Sequence, residues 1–160
     1  MILVSSCLLG HCTKYSGGHN LHPFFEMERA HILPICPEVM GGLDMPRPPA
    51  EIVGGSGRDA VDGRCRICTK AGDDVTDAFL AGAREALRLA CEHQVRFAVL
   101  KESSPSCGSH TIYDGTFSGT KRSGEGAATA LLRAHGITVY SEKEITEELW
   151  QKMTAAESSR

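Results

Sequence analysis

Residues 75–108 read VTDAFLAGAREALRLACEHQVRFAVLKESSPSCG, and this stretch decides the fold. Val75, Phe79, Ala83, Leu87 and Ala90 recur at three- and four-residue spacing, the pattern of a helix with one apolar face. The spacing predicts a helix from about Val75 to His93, with Asp73-Asp74 as acidic capping at its start. Phe97-Ala98-Val99-Leu100 follows as an apolar run of strand length and opens into the polar KESSPSCGSH. Helix, buried strand and polar loop in that order form one unit of an α/β domain.

The same unit recurs on either side. Ile2-Leu3-Val4 runs into Ser5-Ser6-Cys7, and the apolar run His31 to Ile35 is stopped by Cys36-Pro37. Thr111 to Asp114 reads as a short extended piece, with Gly115 and Gly119 marking turns. Glu125 to Ala134 reads as a second helix capped by Gly136, and Ile137 to Tyr140 as a last strand. An acidic helix is expected near Glu142 to Trp150. Residues 37–57, PEVMGGLDMPRPPAEIVGGSG, hold too much Pro and Gly for a long helix and predict an irregular wrap. The pattern predicts an α/β sandwich with a mostly parallel sheet, one domain over residues 1–152 and a frayed polar tail over 153–160.

Composition narrows the function. The chain has 160 residues, 41% hydrophobic and 23% charged, a globular balance that excludes disorder and coiled coil. Such a length buries roughly 68–70% of its unfolded surface, enough for one core. The net charge of -3 disfavours duplex nucleic acid as a partner. No run approaches the roughly 18 apolar residues of a membrane span. The start, MILVSSCLLG, lacks the basic leader of a secretory signal and reads as the first strand of a cytoplasmic protein.

Seven cysteines are the unusual number. In a reducing compartment extra cysteines mean metal binding, catalysis or plain packing. Cys7, Cys36 and Cys107 each follow a strand candidate closely, and each has small, turn-forming or proline neighbours. In an open parallel sheet, ligands gather beyond the carboxyl ends of the strands, so three distant cysteines can converge in one crevice. Three thiolates there would repel one another without a cation or cluster. A structural zinc would want a fourth protein ligand, whereas an iron–sulfur cubane on three cysteines keeps one open iron. Unrelated core or loop thiols are the plainer alternative.

The other signals are weaker. Cys65 and Cys68 form one C-x-x-C between Arg64 and Arg66, without a second pair to complete a zinc site. Cys91 falls near the apolar face of the long helix and reads as a packed small hydrophobe. Cys12, His11, His19 and His22 share a loop without a demanding spacing. Gly54-Gly55-Ser56-Gly57 is a turn and does not fit the dinucleotide frame. Lys121-Arg122-Ser123-Gly124, ahead of the second helix, reads as a solvated loop that could receive a phosphate.

SSCLLG at 5–10, CPEVMGGLDMPRPPAE at 36–51 and KESSPSCG at 101–108 resemble the signature segments of the 2-thiouracil desulfurase family. DVTDAF at 74–79, YDGTFSGTKRSGEGAATALL at 113–132 and GITVYSE at 136–142 extend the resemblance to about Trp150. Where that family shows an Arg-Tyr-Asp/Asn-Gly run, this chain has Lys14-Tyr15-Ser16-Gly17. The resemblance implies a Rossmann-like three-layer α/β domain carrying a [4Fe–4S] cluster on Cys7, Cys36 and Cys107. It implies hydrolysis of 2-thiouracil to uracil and hydrogen sulfide, with Glu38 and Ser104 as catalytic and substrate-binding residues and a small thiolated pyrimidine as partner.

Other readings of the same residues stand beside this one. Glu38 could be a carboxylate paired with Arg47, Ser104 a turn cap before Pro105, and Lys101 an orienting or snorkelling cation. A non-catalytic iron–sulfur or zinc module for sulfur sensing or storage is the alternative function. A metal-free Cys107 nucleophile would need His110 as its base. The sequence does not give the oligomeric state.

Overall fold

The computed structural model describes residues 1–159. Four short strands, β1 (Ile2–Ser5), β2 (Ile32–Ile35), β5 (Phe97–Leu100) and β8 (Thr138–Ser141), form one parallel sheet in the order β2-β1-β5-β8. Alternation along the strands splits the core between the two faces. Leu3, Ala98, Leu100 and Val139 pack against Ala86 and Ala90 of α3 (Thr76–Glu92) and Leu132 of α4 (Ala127–Ala134). Ile2, Val4 and Val99 pack on the other face with Phe25 and with Trp150 and Met153 of α5 (Glu147–Ser158). The expected three-layer α/β sandwich is therefore present.

The long crossover from β2 to β5 holds α1 (Pro37–Met40), β3 (Ala50–Val53), α2 (Gly57–Val61) and β4 (Arg66–Thr69) before α3. β3 and β4 pair antiparallel, as do β6 (Thr111–Tyr113) and β7 (Lys121–Ser123). Ile52, Ile67, Phe79 and Ile112 join these hairpins to α3 in a third cluster. Full burial of an aliphatic or Phe side chain of this kind contributes roughly 1.5–3 kcal/mol.

Several boundaries differ from the sequence reading. The tail is not frayed from Met153: α5 continues to Ser158, because Met153 is buried and Glu157 anchors the far end. Glu157 accepts from the Met1 ammonium at 3.2 Å and from the Arg96 backbone N–H at 3.3 Å. Glu142 does not begin a helix but follows β8 directly and is buried. The 37–57 stretch includes a one-turn helix and a strand, and Ser56 caps α2 through a capping box with Asp59. Lys121-Arg122-Ser123 is strand rather than loop, and Cys91 is exposed rather than packed.

Candidate active site

The chain passes from β1 to β2 on one side and later returns to β5 on the other side of β1. Such a switch opens a crevice beyond the carboxyl ends of the strands. Cys7 lies in the 3₁₀ turn Ser6–Leu9 directly after β1, Cys36 directly after β2, and Cys107 in the loop after β5. All three line one cavity of about 390 Å³, together with Glu38 and Ser104. Burial pushes the Cys7 thiol up and the Cys107 thiol up to about 12, and the neighbouring cysteines add to both shifts. Low polarity and like charge disfavour these thiolates unless a cation balances them.

Two close backbone approaches aim the cysteine segments. A Cβ on Gly82 in the middle of α3 would lie 1.7 Å from the Pro37 carbonyl oxygen, and one on Gly41 would lie 2.0 Å from that of Ala78. Only glycines let α1, with Cys36 at its start and Glu38 in its first turn, rest on α3. The Cys107 loop is held from the other side by α4. The N–H groups of Ala127 and Ala128 donate to the carbonyls of Pro105 (2.8 Å) and Ser106 (2.9 Å). Loop carbonyls thus satisfy the free amides of a helix start. Thr129 Oγ1 adds a bond to the Cys107 carbonyl at 3.0 Å.

Ser104 is both a turn cap and a cavity residue. Its Oγ accepts from the N–H groups of Ser106 (3.1 Å) and Cys107 (3.0 Å) and lies 2.9 Å from Ser106 Oγ. A hydroxyl has two acceptor positions and one proton. With both acceptor positions taken, Ser104 acts as a donor. Ser106 Oγ in turn donates toward Cys107 Sγ at 3.6 Å. Ser104 therefore donates to Ser106, whose one proton is shared between the Cys107 sulfur and the Glu38 carboxylate.

Glu38 does pair with Arg47, Oε2 to a guanidinium nitrogen at 3.2 Å, and it lines the cavity as well. Burial pushes its carboxyl above the usual range, against the pull of Arg47 and of a hydrogen bond from Ser106. Lys101 pairs with Glu142 at 3.1 Å.

Two residues have no place in the sequence analysis, Glu102 and Ser106, and neither does the burial of Arg47. Glu102 is buried and accepts from the backbone N–H groups of Ser109, His110 and Thr111, each at 2.9 Å, and from Ser109 Oγ at 2.9 Å. It closes the loop that carries Ser104 and Cys107. Burial opposes its charge, but these bonds outweigh that and hold the carboxyl down at about 2. The only signal in the sequence was a carboxylate at a strand end inside a Ser- and Gly-rich loop.

The other candidate ligands and bases are placed elsewhere. His19 and His22 accept backbone N–H groups through Nδ1 in local turns, and Cys12 is exposed. His110 Nδ1 lies 3.2 Å from Glu102 and 3.3 Å from Glu144, and His110 is not among the residues that line the cavity with Cys107. Cys65 and Cys68 are free thiols, Cys65 bonded to the Ser56 carbonyl at 3.6 Å and Cys68 in register with Glu51.

A parallel α/β sheet with a largely apolar cavity at its strand ends, into which a few polar side chains converge, is an architecture that binds small molecules. The chain belongs to the 2-thiouracil desulfurase family, whose model matches residues 2–144. It is 44% identical over 151 residues to the uncharacterized protein YbbK of Bacillus subtilis (strain 168), covering 92% of this chain and 99% of that protein. Its structure is similar to that of the [4Fe-4S]-dependent thiouracil desulfidase TudS, with a TM-score of 0.76 and 41% identity. That similarity covers 98% of this chain and 97% of the other.

Proposed function

We propose that the protein is a [4Fe–4S]-dependent desulfurase that hydrolyses thiolated pyrimidines, 2-thiouracil and water giving uracil and hydrogen sulfide. The observation that carries this reading is the meeting of Cys7, Cys36 and Cys107 in one cavity with Glu38 and Ser104. The donor set fits the cluster. It is all sulfur, and among the described residues no three Cys, His, Asp or Glu side chains close on a point that could hold a single ion. Zinc sulfur ligands lie at about 2.3 Å from the metal, so thiols spread around a cavity suit a body of several metal atoms better.

When bound, the cluster supplies an iron with an open position, a Lewis acid of the softness that a thiocarbonyl sulfur favours. The chain supplies the rest. Glu38 takes a proton from the attacking water, help that typically contributes about 10²–10⁴-fold. Ser104, restricted to donating, turns its one proton from Ser106 to the exocyclic C4 carbonyl oxygen of the substrate or to the water. The overall change replaces C=S by C=O and releases the sulfur with the two hydrogens of water, so no electrons are gained or lost. The substrate is a small thiolated base, and the cavity stands open to receive it between the strand ends.

The test is anaerobic reconstitution with iron and sulfide, followed by the loss of 2-thiouracil absorbance. Turnover in the wild type, and its loss in Glu38→Ala with the iron retained, supports the assignment. Retained iron without turnover on any thiopyrimidine would make the protein a binding module instead.

A further inference from the structure

Arg47 comes from the proline-rich wrap, and its side chain is only 5% exposed. Its guanidinium donates to Glu38 Oε2 at 3.2 Å, to the Thr13 carbonyl at 2.9 Å and to the Asp44 carbonyl at 3.2 Å. Its backbone N–H donates to the Tyr15 carbonyl at 2.7 Å. Glu38, Thr13 and Tyr15 all line the cavity. One buried cation thus ties the helix start that carries the carboxylate to the loop that forms the facing wall.

A buried ion pair is a poor way to gain stability, because desolvation of both charges offsets their attraction. Nor is the guanidinium arranged for its own satisfaction: its Nε is buried without a partner among the described residues. The planar fork spans a carboxylate and two carbonyls together, a task the point charge of a lysine cannot reproduce.

We propose that Arg47 is a positioning residue, fixing Glu38 and the Thr13–Tyr15 wall in one arrangement so that the carboxylate faces the substrate. The inference rests on Glu38 being the general base. Arg47 holds Oε2 at 3.2 Å and so fixes which way the carboxyl group turns. A displacement of about 1 Å in such a group can cost 10²-fold in rate.

The experiment is a double-mutant cycle on the reconstituted holoprotein, with rates expressed per cluster. Wild type, Arg47→Lys, Arg47→Gln, Glu38→Gln and both double variants are compared for kcat and KM with 2-thiouracil, alongside iron per chain. With Glu38 present, kcat falls about tenfold in Arg47→Lys and toward a hundredfold in Arg47→Gln, with KM changed far less. With Glu38→Gln, the same Arg47 substitutions cost less than about twofold, because coupled residues are not additive. Iron per chain stays at the wild-type value in Arg47→Lys.

If Arg47→Gln does not hold its cluster, Arg47→Lys decides by the same comparison. Equal losses in both backgrounds, an unchanged kcat in Arg47→Lys, or loss of its cluster overturns the proposal. A wild type that binds the cluster but turns nothing over fails the functional reading itself and takes this inference with it.

Discussion

Cys65 and Cys68 share one short motif yet sit apart in role, whereas Cys7, Cys36 and Cys107 come from distant segments and line one cavity. Cys65 precedes β4 and packs against the third core cluster, whereas Cys68 lies within β4 in register with Glu51, so the motif does not bring its two thiols to one site. The distant three are brought together by topology. Each sits just past the carboxyl end of a strand, the strands run parallel, and β1 lies between the other two. Proximity in sequence is a weaker guide to a shared site than an equivalent place in a sheet.

Substitutions can break this contrast, beginning with the cysteines themselves. Replacing any one of Cys7, Cys36 or Cys107 by Ala is expected to abolish thiouracil turnover, read as absorbance loss under anaerobic conditions. A rate within tenfold of wild type would remove that residue from the set. Next in size is Gly82→Val, which forces a side chain into the space of the Pro37 carbonyl and displaces the segment bearing Cys36 and Glu38. Overpacking of this kind typically costs about 1–3 kcal/mol and occasionally more, visible as a lower denaturation midpoint together with a lost cluster.

Glu102→Gln tests the loop that carries Cys107. Its buried carboxylate serves three backbone amides, and removing the charge is expected to cost roughly 1–3 kcal/mol, without loss of the cluster segment, read by urea denaturation. The pH dependence has a definite sign. A carboxyl held at about 2 contributes stability that is fully present above its ordinary value of 4.5 and is lost as the pH falls from there toward 2. The gap between wild type and Glu102→Gln should therefore be widest near neutrality and close in acid. The smallest effect belongs to Cys65→Ser with Cys68→Ser, which should leave turnover unchanged and shift stability by less than about 1 kcal/mol.

Much of this was legible beforehand. The apolar face of Val75 to Ala90 and the run Phe97–Leu100 define α3 and β5, and the position of each cysteine after a strand marked the crevice. Glu102 and the burial of Arg47 could not be found in the same way. The importance of both residues lies in burial and in the carbonyls and amides around them, which a spacing of residue types does not encode. The end of α5 was missed for a related reason. Glu157 looks like an ordinary surface charge until the fold brings Met1 and Arg96 to it. Glu38 and Ser104 showed a further ambiguity: the ion pair with Arg47 and the turn cap are both present, and both residues still face the cavity.

The most direct measurement is iron per chain after anaerobic reconstitution, made in parallel on the wild type, on Cys65→Ala with Cys68→Ala, and on Cys7→Ala with Cys36→Ala and Cys107→Ala. The account predicts about four irons in the first two and none in the third. Iron retained by the triple variant, or lost from the C-x-x-C variant alone, would contradict it.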